Sequence, residues 1–367
     1  MTPNLCKLRT LVPLHELEEG AQQQIHDALA LDFLELLAVM PDCHTGYTMP
    51  IGGVALLDGV ISPEYVGYDI GCGMGALISA IPAATLKGRR QQIFKEVYDR
   101  IPVGFNCREG ALDYPAFQSA SWVKSLENKV NAKLNIQLGT LGSGNHFIEV
   151  GQTREGYLAI TVHSGSRNIG HSIASFYMEL SKLVDRDLPD GFLHLNGEYG
   201  RAYLQDMNFC LEYALANRAQ MLREVAGLVW GHGDGFFINE NHNHAVVQGG
   251  DKVLHRKGAT PADMGQYGLI PGNMRDGVYV TTGLGNAEYL SSASHGAGRT
   301  MSRKRAKKEL SLEEFQITMV DVVARVEQST LDEAPFAYKN LDEVIARQDG
   351  IVVAVVDHIK PLINIKG

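Results

Sequence analysis

One imidazole framed by small residues stands out in Ser294-His295-Gly296-Ala297-Gly298-Arg299. Imidazole is largely neutral near pH 7, and its lone-pair nitrogen can attack an electrophile such as phosphorus. The flanking glycines let a bulky ligand approach the ring closely. Arg299 follows, and then Met301-Ser302-Arg303-Lys304-Arg305, so phosphate oxygens could be held by charge-assisted hydrogen bonds. Alone, the segment reads equally well as a glycine-rich turn around a buried, satisfied histidine.

A second stretch, Val66-Gly67-Tyr68-Asp69-Ile70-Gly71-Cys72-Gly73-Met74-Gly75, sets a carboxylate and a thiol three positions apart. Both deprotonate readily beside a divalent ion, and a thiolate can bridge two ions. The pair is weak evidence until histidines join it. His146 closes the glycine-punctuated run that begins at Leu138, and His163 ends the strand-like Tyr157-Leu158-Ala159-Ile160-Thr161-Val162. His242 and His244 alternate after Phe236-Phe237-Ile238-Asn239-Glu240-Asn241, so both would face one way on a persisting strand. Asp42, in Pro41-Asp42-Cys43-His44, reads either as an Asx-turn residue or as the carboxylate that orients a catalytic histidine.

Taken with Leu138-Gly139-Thr140-Leu141-Gly142-Ser143-Gly144-Asn145-His146-Phe147-Ile148-Glu149, these motifs resemble the RtcB family of RNA-splicing ligases, from about residue 39 to the last. The resemblance selects His242 over His244 and implies five metal ligands: Asp69, Cys72, His146, His163 and His242. One tetrahedral ion needs fewer, whereas two ions sharing the thiolate would use all five. Ligand softness suggests zinc, while the resemblance implies two Mn²⁺ ions. It also implies GTP as cosubstrate, a covalent His295–GMP adduct and an RNA-3′-ppG intermediate. A 3′-phosphate or 2′,3′-cyclic phosphate end would then be joined to a 5′-hydroxyl end, in RNA repair or tRNA splicing. Position by position, Asn145 falls near the α-phosphate, Glu149, Asn273 and Lys366 on guanine, Tyr338 on the nucleotide, and Arg167 and Arg299 on RNA phosphates. Asp42 is the expected partner of His295.

Some positions depart from the family pattern. Asn273 and Arg275 stand where Ser and Gly are usual, which bears on guanine choice, and Asp263 replaces a common arginine, which bears on RNA affinity. Two other readings compete. A metal-dependent cyclic phosphodiesterase would need the metal ligands but not His295, Glu149 or Lys366. A non-catalytic RNA-binding shell would need none of them. Some relatives use a helper protein, and nothing in this sequence marks one.

Elements spread along the chain must carry these residues to one point. The pattern predicts a helix over 21–38 and a short strand at Val39-Met40. It then predicts a hairpin over 51–61 turning at Asp58-Gly59, and helices over 86–101, 122–134, 172–185 and 199–229. His255-Arg256-Lys257-Gly258-Ala259 reads as a compact basic turn, plausible for phosphates or substrate backbone, and 265–272 as a loop, with a strand over 278–282. Ser311-Leu312-Glu313-Glu314 caps a helix expected to reach about residue 328. A helix over 341–347 and apolar segments over 351–356 and 359–365 complete the chain. With candidate residues spread from Asp42 to Lys366 and no linker or repeat, the expectation is one α+β domain over 1–367, with mixed sheets flanked by helices around a central, loop-built site.

Composition sets the outer bounds. Of the 367 residues, 45% are hydrophobic and 20% charged, a globular balance. No apolar run reaches the roughly 18–20 residues of a membrane helix, and 1–20 lacks a signal-peptide core, so a cytoplasmic protein is expected. Five scattered cysteines argue against a disulfide framework; Cys6, Cys107 and Cys210 read as packing residues. The net charge of −9 argues against broad nucleic-acid binding but leaves room for a local basic groove from Arg299 to Lys308.

Overall fold

The structure, a computed structural model, describes residues 5–367. Two sheets dominate an α+β architecture. The larger has eight strands in the order Tyr267–Pro271, Val278–Gly283, Val353–Lys366, Phe147–Gln152, Tyr157–Ser164, Gly73–Pro82 and Phe236–Asn241, with Val323–Ala324 also paired to Val353–Lys366. The smaller has five, in the order Leu8–Thr10, Leu34–His44, Ile51–Asp58, Lys252–Lys257 and Asn243–Val247. The strands of this order pair antiparallel except Leu8–Thr10, which runs parallel to its neighbour.

The helix Glu198–Trp230 lies across the larger sheet. Its buried stripe (Tyr203, Met207, Cys210, Ala214, Met221, Val225) follows the 3.6-residue period and joins the two largest apolar clusters. In the same stripe Asn217 and Arg218 are fully buried yet polar, and both bond to backbone around the site. Among the described residues no helix is long and apolar enough to cross a membrane.

Several expectations are corrected. The helix predicted over 21–38 ends at Leu29, and Leu34–His44 is a strand paired with Ile51–Asp58. Its leucines satisfy either period, and sheet pairing decides. The chain does not fold back at Asp58-Gly59: Val60–Ile61 pairs with Leu193–His194 instead. The basic turn is largely the strand Lys252–Lys257, with His255, Arg256 and Lys257 all buried. The segment read as a loop holds the strand Tyr267–Pro271. The capped helix stops at Thr318, and the two final apolar segments form one strand, Val353–Lys366, with a register shift between Pro361 and Ile363. Of the three cysteines assigned to packing only Cys210 is buried; Cys6 is exposed and Cys107 half-buried.

Candidate active site

His242 is the one residue between Phe236–Asn241 in the larger sheet and Asn243–Val247 in the smaller. The chain crosses between sheets there, and backbone bonds tie the crossing to the Asp69–Cys72 turn. His242 N–H donates to Cys72 C=O at 2.7 Å, and Gly71 N–H to Asn243 C=O at 2.8 Å. Asn243 adds a side-chain bond to Asp69 C=O at 3.1 Å. Arg218 donates to Gly71 C=O and Ser164 C=O, both at 2.9 Å, so the long helix pins the strand ends that carry Cys72 and His163.

These supports bring the five expected ligands together. Cys72 Sγ lies 3.5 Å from His146 Nε2 and 3.2 Å from His163 Nε2. His163 Nε2 is 3.3 Å from His242 Nε2, and His146 Nε2 is 3.0 Å from Asp69 Oδ2. Two groups result, Cys72/His163/His242 and Asp69/Cys72/His146, each with donor atoms within 4.8 Å of one another and with the thiol common to both. His163 Nδ1 donates to Asn145 C=O at 3.2 Å and His146 Nδ1 to Leu141 C=O at 2.9 Å. That fixes the rings and turns each Nε2 toward the sulfur. Burial drives His163 and His242 well below the usual histidine range, so their ring lone pairs converge. Burial and the neighbouring Asp69 push the Cys72 thiol up. A cation in either group reverses that tendency and pairs the lone pairs, so the donor set fits a metal pair.

His295 stands beside this cluster, its ring centroid 4.9 Å from that of His242. Its Nδ1 donates to Asp42 Oδ2 at 2.7 Å, which leaves the lone pair on the other nitrogen. The same oxygen accepts from the His295 and Gly296 N–H groups at 3.1 and 3.2 Å. Asp42 is 0% exposed. Burial alone would raise its carboxyl, but the charge and hydrogen bond of His295 outweigh that and hold it below the usual carboxylate range. Two glycines make room. A Cβ on Gly298 (φ +75°) would collide with Asp42 C=O, and one on Gly258 (φ +62°) would come within 3.0 Å of the His295 ring.

His295 lines two cavities. A 720 Å³ cleft on the side of the Asp69/Cys72 cluster includes Tyr68, Asp69, His242, Lys257 and Arg303. A 270 Å³ pocket includes Asn145, Phe147, Asn273, Tyr338, Asn364 and Lys366. Thus four of the expected nucleotide contacts, Asn145, Asn273, Tyr338 and Lys366, share one pocket with His295. Glu149 does not line it. It is buried opposite Asn364, which donates to it at 3.0 Å, and burial raises its carboxyl to about 8. Asn273 spends its side chain within its own turn, accepting from Arg275 N–H and Asp276 N–H.

Arg299 lines both cavities. Arg167 lies apart, in a 220 Å³ cavity beyond Asp69, bonded to Thr140 Oγ1 and Gly104 C=O. His244 lies outside both ligand groups and accepts from Arg256. Lys257, from the segment read as a basic turn suited to phosphates, lines the cleft, and burial lowers its ammonium to about 8. One residue at the pocket escaped the sequence reading. Glu333 gathers Lys366 at 2.5 Å, the Tyr338 hydroxyl at 2.7 Å and Arg303, and those cations bring its carboxyl to about 2 against the effect of burial. Nothing in the local sequence around Glu333 signals this.

The family profile described as tRNA-splicing ligase RtcB matches residues 24–135 and 106–367. The RNA-splicing ligase RtcB of Escherichia coli K12 is 34% identical, over 95% of each chain. The tRNA-splicing ligases RtcB of Archaeoglobus fulgidus and Pyrobaculum aerophilum are 30% and 29% identical, each over 90% of this chain and 87% of their own. The chain belongs to the RtcB family.

Proposed function

We propose that this chain, acting as one domain over 1–367, is a GTP-dependent RNA ligase. His295 attacks the α-phosphorus of GTP through its free nitrogen. An N–P bond forms, the bond to the bridging oxygen breaks, and pyrophosphate leaves. Asp42 keeps the proton on Nδ1 and balances the positive charge that develops on the ring. A 2′,3′-cyclic phosphate is opened by water to a 3′-phosphate. An oxygen of that phosphate takes the guanylyl group from His295 as the N–P bond breaks. The 5′-hydroxyl of the second strand then attacks the RNA-bound phosphorus: a new O–P bond forms, the hydroxyl proton passes to solvent, and the bond to the bridging oxygen breaks, so GMP leaves. Two Mn²⁺ ions, held by Asp69/Cys72/His146 and Cys72/His163/His242, would supply electrostatic stabilisation to the phosphoryl oxygens. The protein works in the cytoplasm.

The observation that carries this reading is the placement of a singly oriented imidazole, backed by a buried carboxylate, against a thiol-sharing pair of ligand groups. The test is incubation with Mn²⁺ and α-labelled GTP. Acid-labile label is expected on the wild type and absent from His295→Ala, which also fails to join strands. Label retained in that variant would move the nucleophile elsewhere. Cyclic-phosphate opening without label in the wild type would favour a phosphodiesterase.

Guanine recognition through Glu149 carries its own prediction. Glu149 Oε1 and Asn364 Oδ1 are both buried acceptors without a hydrogen bond. A proton on the carboxyl, or the N–H edge of guanine, would relieve one of them. Because folding raises this carboxyl above its unfolded value, its ionisation favours the unfolded chain as pH climbs from about 4.5 to about 8. Glu149→Gln is therefore expected to raise the melting temperature at pH 7.5 by about 1–3 °C. The same change should raise the KM for GTP about tenfold, by removing an acceptor for guanine. A variant with unchanged KM would remove Glu149 from guanine binding.

A further inference from the structure

Three aromatic side chains stand open along the 720 Å³ cleft and the 220 Å³ cavity that meets it at Asp69. Phe105 is 95% exposed, Tyr47 82% and Tyr68 40%. Tyr68 precedes Asp69 in sequence and lines both the 720 Å³ cleft and the 220 Å³ cavity beyond it. Tyr47 lines the first and meets Tyr68 edge-on at 5.8 Å; Phe105 lines the second. His171 stacks on Tyr68 at 5.2 Å and 23°, which holds that ring upright at the boundary. Exposed apolar rings grouped beside a charged cleft mark a recognition surface more often than an accident of packing.

We propose that Tyr47, Tyr68 and Phe105 form a stacking wall for unpaired nucleobases of the RNA end held at the ligand cluster. The inference rests on the ligase reading and adds the form in which RNA is accepted. The chemistry of the two sides matches. Lys257, Arg299 and Arg303 face the cleft and suit phosphates, while Tyr47 and Tyr68 line the same cleft and Tyr68 and Phe105 the cavity that shares Asp69 with it. Every base presents a π face, so such a wall accepts any sequence, but only from nucleotides free of a duplex. The chain therefore selects breaks whose flanking nucleotides are single-stranded, without a sequence code.

The test couples protein and RNA changes. Each of the last two nucleotides of a 3′-phosphate oligonucleotide, and each of the first two of a 5′-hydroxyl oligonucleotide, is made abasic in turn. Binding is measured for the wild type, Tyr47→Ala, Phe105→Ala and Tyr47→Trp. At one or more positions, removing the base is expected to raise Kd by about 5- to 150-fold in the wild type. The same removal should cost an alanine variant no more than about twofold, with tryptophan restoring the dependence. Equal penalties in wild type and alanine variants at all four positions would overturn the wall. Both alanine changes remove exposed side chains, so loss of folding does not confound them. Label uptake from α-labelled GTP, run on the same preparation, separates the two failures. Label without base coupling removes only the wall; absence of label removes the ligase reading beneath it.

Discussion

Asp42→Asn is expected to slow transfer of GMP to His295 by about 10³- to 10⁴-fold, the scale on which a neutral amide replacing the aspartate of a carboxylate–imidazole pair acts. One carboxylate oxygen accepts three donors at once: His295 Nδ1–H and the His295 and Gly296 N–H groups. An asparagine can keep those bonds only by placing its carbonyl there. Its NH₂ must then occupy the position of Oδ1, a fully buried atom with no hydrogen-bond partner. The opposite flip sets NH₂ against three N–H groups. In the first orientation the ring stays in place but the charge that balances the attacking imidazole is gone; in the second the ring is displaced as well. Either way GTP affinity should change far less than the transfer rate, because Asp42 does not line the 270 Å³ pocket proposed for the nucleotide. The wild-type pair also sets an acid limit. Asp42 is held below its ordinary value, so its contribution to stability is complete above the usual carboxylate range and is lost as pH falls through the depressed value. Single-turnover label incorporation measures the effect, with a thermal melt confirming the fold. A variant within tenfold of the parent would show that Asp42 only packs.

The five candidate ligands could be picked out because their residue types are rare in company, and the structure brings them together: a thiol, a carboxylate and histidines at strand ends have few joint uses. His242 illustrates what sequence alone left open. Period-two reasoning put His242 and His244 on one face of a continuous strand, yet the chain leaves one sheet and enters the other between them. That switch is set by different pairing partners on its two sides, Gly73 opposite Asn241 and Lys257 opposite Asn243. The same blindness explains the misread helix over 21–38. Leu34–His44 is a strand because it pairs with Ile51–Asp58 on one side and Leu8–Thr10 on the other, whereas its own apolar residues fit both periods.

The supports of the site were harder to see than its reactive atoms. Arg218 sits in an apolar helical stripe and looks like an ordinary exposed arginine in sequence, yet it is fully buried and spans Gly71, Ser164, Asn239 and Asn241. Glu333 lies in a short 3₁₀ segment with no marked neighbours and still gathers Arg303, Tyr338 and Lys366. Charge networks of this kind are written in three dimensions. The candidate ligands and His295, unusual residues beside small ones, leave a local trace.

Cys72→Ser should have the second large effect, and it differs in kind from loss of any histidine. Its sulfur belongs to both ligand groups, whereas His146 belongs to one and His242 to the other. A serine hydroxyl stays protonated near neutral pH and cannot supply the thiolate charge that offsets two cations. The bound Mn²⁺ is therefore expected to fall from two per chain to none in Cys72→Ser at metal concentrations that saturate the wild type, and to about one in His146→Ala or His242→Ala. Joining should drop at least about 10³-fold in the serine variant, since charge stabilisation at both phosphoryl oxygens is lost together. Equilibrium dialysis with metal analysis reads the stoichiometry without relying on activity. Arg218 remains in place, bonded to Gly71 and Ser164, so the loop that carries residue 72 keeps its anchor and the serine variant stays folded. If Cys72→Ser kept one ion while either histidine variant lost both, the sulfur would not be the shared ligand, and the two groups would have to be bridged through Asp69 or through a single central ion.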